Sequence, residues 1–178
     1  SEADEIVRRI EELLKELERE IRKVIRDSER LLKELEDSVR ELLKKIRDVL
    51  DELTKSDRDE KEARDVIRKL AKEVEDHLRR SKEVIDRNRK KLEDAEEKLK
   101  ELIERIKREI DEIKRRLDSE ELLRKLEAVL DKVKKDLKKM IDDWRRVSER
   151  IARELEKLNR RVKEELDRVK EALDERTR

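Results

Sequence analysis

Apolar residues return along this chain with a period of 18. In the first third, Ile6, Val24 and Leu42 fall on equivalent slots, as do Val7, Ile25 and Leu43, then Leu14, Leu32 and Leu50, then Leu17, Leu35 and Leu53. The middle third repeats the spacing with Val66, Val84 and Leu102, with Ile67, Ile85 and Ile103, and with Val74, Leu92 and Ile110. The last third does so with Leu126, Trp144 and Val162, with Val133, Ile151 and Val169, and with Leu137, Leu155 and Leu173. At about 3.6 residues per turn this spacing is five helical turns, so residues sharing a slot lie on one helix face. A heptad pattern would impose a left-handed supercoil, whereas this one needs none, and it predicts nearly straight helices. Each seam holds about one apolar position per turn, doubled at every other turn. That width suits packing against two neighbours and favours a folded monomer, since a central helix of a larger assembly would be apolar over more of its circumference.

The pattern fails in two places. Between Leu53 and Ala63 the seam loses its apolar residues and Thr54-Lys55-Ser56-Asp57 intervenes; Ser56 or Asp57 reads as an N-cap, with Asp59 or Glu60 as the reciprocal acid. Between Leu117 and Leu122 the spacing of five residues is about 140° out of phase with a continuous helix. Asp118-Ser119-Glu120-Glu121 there reads as a cap followed by an acidic first turn. The reading is an all-α, up-down-up antiparallel bundle of three long helices at about 2–53, 57–117 and 119–176, forming one domain over 1–178. Each helix would be about 80 Å long.

Composition narrows the picture further. The 178 residues include no Gly, Pro, Cys, Phe or Tyr, and 60% are charged. The residues that strands and β-turns draw on are thus largely missing. High charge with few aromatics can signal disorder, but here the apolar residues keep strict helical spacing. The 54 basic and 53 acidic residues nearly cancel and alternate along every segment, so there is no basic stripe for nucleic acid or a membrane surface. No apolar run approaches the roughly 20 residues needed to span a bilayer. The start, Ser-Glu-Ala-Asp-Glu, has no signal-peptide pattern and suggests a trimmed expression tag.

A few polar residues interrupt the seams. Ser28 takes the slot of Ile10 and Ile46, Ser81 that of Ala63 and Leu99, and Asn88 that of Leu70 and Ile106. His77 shares a slot with Ala95 and Ile113, Ser148 with Leu130 and Leu166, and Asn159 with Leu123 and Ile141, while Ser38 lies beside Val39. With turns near 55 and 118, a first-helix position n lies beside second-helix position 110 − n, and a second-helix position m beside third-helix position 236 − m. Asn88 then meets Ser148, His77 meets Asn159, and Ser28 comes close to Ser81. An unpaired buried polar group costs about 1–3 kcal/mol, so a hydrogen-bonded set is expected, serving to fix helix register as a single buried Asn does in coiled coils. The blander alternative is that individual serines are tolerated at a rim. Ser38 has no evident partner; it either bonds its own helix carbonyl or is partly exposed.

Candidate chemistry adds little. His77 is the single histidine, with no Cys and no seam carboxylate beside it; Glu73 stands four residues before it, not the three of a Glu-x-x-His metal motif. A structural His is therefore expected, and no metal or cofactor. Trp144 fills a core slot, and Ser148 one turn on is the expected partner of its indole N–H. With no Cys and a single His, no Ser-His-acid or Cys-His arrangement is credible although serines exist, and glycine-rich phosphate loops are impossible, so no enzyme is expected. The carboxylates lie among Lys and Arg at i±3 and i±4, on solvated faces.

The 18-residue layering, the Glu/Lys/Arg/Asp surface and the paired Asn, Ser and His interruptions resemble de novo computationally designed parametric helical bundles with buried hydrogen-bond networks. That resemblance covers the whole chain in style rather than in a specific motif, and the chain departs from it in lacking Gly or Pro at its loops. It implies a hyperstable scaffold with no natural biochemical function and no required partner. Two alternatives stand beside it. One is a designed interaction module, either a homo-oligomer or an acceptor for a fourth helix. The other is a natural spectrin-like spacer, against which the missing Gln, Tyr and Phe argue. Localisation is left open, with the cytoplasm expected on recombinant expression.

Overall fold

The computed structural model describes residues 2–55, 59–116 and 118–177 and holds three helices, α1 (Glu2–Lys55), α2 (Glu60–Arg116) and α3 (Glu120–Thr177). They are 54, 57 and 58 residues long, and no described residue is in a strand. None of the described residues has a positive φ, as expected of a chain without glycine.

The helix ends follow from local chemistry. α3 begins where the phase slip was read. Ser119 is its cap: the Leu122 N–H donates to Ser119 Oγ at 3.4 Å and the Leu123 N–H to the Ser119 carbonyl at 3.3 Å. Glu120 and Glu121 then place negative charge on the positive end of the helix dipole. α2 begins later than the expected 57: the Ala63 N–H donates to the Asp59 carbonyl at 3.0 Å, so Asp59 takes the cap position. Ser56 and Asp57, expected as caps, and Leu117, expected as the last residue of α2, lie outside the described residues. α1 runs two residues past the expected 53, and near its end Thr54 Oγ1 donates to the Asp51 carbonyl at 2.9 Å. α2 ends on Lys114, Arg115 and Arg116, a cationic turn suited to the negative helix terminus.

The chain divides into two compact units, each drawing one segment from every helix. Unit 1 comprises Ser1–Ser28 and Asn88–Val147; unit 2 comprises Glu29–Arg87 and Ser148–Arg178. In unit 1, Ile10 and Leu14 of α1 pack with Ile106 and Ile110 of α2 and with Leu122, Leu126 and Leu130 of α3. Further along α1, Ile21 packs with Leu92 and Leu99 and with Leu137, Ile141 and Trp144. As numbers rise on α1 they fall on α2 and rise on α3, so within this unit the three segments run up, down and up.

Unit 2 holds the most completely covered side chains. Val39, Ile46, Leu155, Val162 and Val169 are all at 0% exposure. Burying an aliphatic side chain of this kind contributes about 1.5–3 kcal/mol each. At the unit's edge, Lys45 Nζ reaches both oxygens of Glu73 at 3.0 Å, tying α1 to α2. Arg40 hydrogen-bonds Glu36 on its own helix at 3.0 Å and lies 3.7 Å from Glu154 of α3.

Candidate functional site

The polar side chains that interrupt the seams lie inside the protein. Ser28, His77, Ser81, Asn88 and Ser148 are buried, Asn159 is half-buried, and Trp144 is covered. A helix buries the side chains on its seam whatever their polarity, so each of these groups either finds a partner or goes without water.

In unit 2 the α2 and α3 segments bring His77, Ser81 and Asn159 together. His77 Nε2 lies 3.0 Å from Asn159 Oδ1, linking α2 to α3. Ser81, one turn on along α2, places Oγ 3.2 Å from the same nitrogen. His77 Nδ1 is buried with no hydrogen-bond partner. Burial holds the imidazole below its ordinary pKa; the Asn159 hydrogen bond opposes that effect, and the neighbouring positive charge of Arg80 adds to it.

In unit 1 the indole N–H of Trp144 donates to Asn88 Oδ1 at 3.2 Å, again from α3 to α2. This corrects the expected pairing. Trp144 bonds Asn88 and not Ser148, and the oxygen of Asn88 is therefore engaged by the indole. The long indole reaches a full turn from its own Cα, which short-range height matching ignores. The expected Ser28–Ser81 pair falls into different units, and the hydrogen-bond partner of the Ser81 hydroxyl is His77 of its own helix. The Ser28 and Ser148 hydroxyls are both buried without a hydrogen-bond partner. Ser38, the seam serine with no evident partner, is half-buried.

Some features were not anticipated. Arg145 of α3 forms an ion pair with Glu96 of α2 inside unit 1. Opposite charges occur at almost every height of this sequence, so nothing marked this pair beforehand. Leu13, which shares its 18-residue slot with Leu31 and Val49, is 56% exposed. It stands at the lip of a groove of about 690 Å³ in unit 1, whose floor includes Leu17 and Leu102 and whose walls carry Glu16, Glu20 and Arg105. A second groove of about 600 Å³ in unit 2 runs between α2 and α3, beside Ala71, Leu78 and Leu166.

Among the described residues no group of three or more His, Cys, Asp or Glu side chains is placed to hold a metal ion. No helix among them is long and apolar enough to cross a membrane. The chain matches no protein-family model and no curated protein sequence. Among solved structures it is similar to a chain described as a computationally designed three helix bundle, at 22% identity over 98% of this chain and 86% of that one, with a TM-score of 0.44. A likeness at that level carries neither fold nor function across.

Proposed function

We propose that this chain is a designed, highly stable helical scaffold with no natural biochemical role, whose buried polar residues set the axial register of its helices. The observation that carries the reading is the α2–α3 hydrogen bond inside each unit: His77 with Asn159 in unit 2 and Trp144 with Asn88 in unit 1. Apolar contacts tolerate sliding, whereas a hydrogen bond between seam side chains forms at one offset and at every other leaves its buried member, His77 or Asn88, without that partner. The strict 18-residue repeat and the absence of Gly and Pro support an artificial origin. The serines at 28 and 148 count against a fully satisfied network, so the register role rests on the two bonded clusters alone.

The test is an apolar replacement of the unit 2 cluster, His77→Leu with Ser81→Ala and Asn159→Leu. The protein is expected to stay folded at equal or higher melting temperature while its amide NMR spectrum splits into more than one set of signals. A single set with the parent's interhelical contacts would remove the register role. The chain is further proposed to unfold as one domain over 1–178. Trp144 fluorescence, which reports on unit 1, and far-ultraviolet circular dichroism, which reports on all helices, should then give coincident urea transitions.

The second reading, an interaction module, is favoured by one observation: Leu13 at the lip of the α1–α2 groove in unit 1. Light scattering at twice the chain mass would favour it, and the mass of one chain would favour the scaffold.

A further inference from the structure

We propose that the His77–Ser81–Asn159 cluster is a proton-sensitive fastener, closed by neutral imidazole in its Nε2–H form and loosened within unit 2 when the ring takes up a second proton. The inference goes beyond the register reading, because a cluster can set register without titrating.

The geometry dictates the tautomer. Asn159 Oδ1 is an acceptor only, so the contact at 3.0 Å requires a hydrogen on His77 Nε2. The Ser81 oxygen at 3.2 Å accepts a share of the same hydrogen. Nδ1 is then a bare lone pair in a buried position without a partner. The opposite tautomer would place an N–H at that position, and an orphaned donor is costlier to bury than an under-used acceptor. Protonation forces that N–H into being and adds a charge where water has been excluded.

Among the described residues, the charge that acts on the ring is that of Arg80, and it does not compensate. Neither of its partners is a carboxylate. On α2, Arg80 is a like charge, Asp76 pairs with Arg79, and Glu73 pairs with Lys45 of α1. On α1, Glu36 is engaged by Arg40, which also lies near Glu154 of α3. On α3, Glu156 and Arg160 flank Asn159 and are exposed. The ring's pKa is held down in the folded protein, so the unfolded chain binds more protons below about pH 6.5. The cluster's contribution is therefore complete above that pH and is lost as pH falls towards the folded-state value. Each unit of depression corresponds to a tenfold shift in the folding equilibrium.

Because His77 is the single histidine, its ring nitrogens give unambiguous NMR signals in the full chain. A titration between pH 8 and pH 5, where carboxylates stay largely ionised, is expected to show the Nε2–H tautomer and a midpoint below 6.5. Amide hydrogen exchange, corrected for intrinsic rates, is expected to lose protection in 60–87 and 148–177 more than in unit 1, and to show no such acid response in His77→Gln. A midpoint at or above 6.5, an Nδ1–H tautomer, or the same acid response in His77→Gln would overturn the proposal. If that variant fails to fold, the tautomer and midpoint of the parent decide. The triple apolar replacement above tests register alone, so the two ideas fail separately.

Discussion

The two compact units are built from the same three helices at similar length, yet unit 2 closes its core more completely than unit 1. All five apolar side chains at 0% exposure belong to unit 2. The repeat allows the units to be compared slot by slot. Ala63 and Ser81 of unit 2 are each at 1%, while Leu99, in the same slot of unit 1, is at 8%. Val74 is at 2%, against 9% for Leu92 and 5% for Ile110. Size alone does not set this, since Trp144 of unit 1, the largest side chain, is at 1%. The rim slots show the same contrast: Leu31 and Val49 of unit 2 are half-buried, whereas Leu13 of unit 1 is exposed. Equivalent positions in a periodic pattern are thus equivalent in phase and not in burial.

The sharpest test of this contrast is a matched pair of truncations. Leu155→Ala, at the most covered level of unit 2, is expected to cost about 4 kcal/mol, and Leu99→Ala in unit 1 about 2 kcal/mol, within the range of such cavities. Equal losses in urea titrations would dissolve the difference between the units. Next in size is Asn88→Ala, which strands the Trp144 indole N–H inside unit 1. A loss of about 1–3 kcal/mol is expected, with a shift in Trp144 emission; unchanged emission would mean that the bond does not form in solution. Ser148→Ala removes a buried hydroxyl that has no hydrogen-bond partner, so the melting temperature should rise, by the equivalent of about 1 kcal/mol. A fall would show that the hydroxyl is satisfied, for instance by a buried water. Smallest is Leu13→Lys on the open side of unit 1, expected to change stability by no more than about 0.5 kcal/mol. A larger loss that grows with protein concentration would mean that Leu13 is covered by a second chain.

The sequence was informative where a physical rule acts over short range. The phase slip after residue 117 and the Ser119 signature located the start of α3, because a cap is a contact between residues three apart. The turn between α1 and α2 was less legible: the phase across it is nearly continuous, and several residues there are able to cap. For the polar residues, seam position was enough to anticipate that Asn88 and His77 would be buried, but not what Asn88 would bond. The pairs observed sum to 236 for His77 with Asn159 and to 232 for Asn88 with Trp144, one helical turn apart. Axial height read from loop positions is good to about a turn, and within a turn the choice of partner falls to side-chain length and direction. Leu13 marks the same boundary, since its neighbour Leu14, about 100° around the helix, is at 3% exposure.

The 18-residue repeat has a consequence for how the chain encodes position. A strictly periodic seam specifies angle around each helix but is silent about translation along it, like a ruler whose graduations carry no numerals. Displacing α3 by one repeat would again set apolar slots on apolar slots, except that His77 would meet Ile141 and Asn88 would meet Leu126. On the register role proposed above, the few non-repeating polar side chains are the numerals on the ruler: the His77–Asn159 and Trp144–Asn88 pairs, one in each unit, would mark the displaced readings as different from the native one.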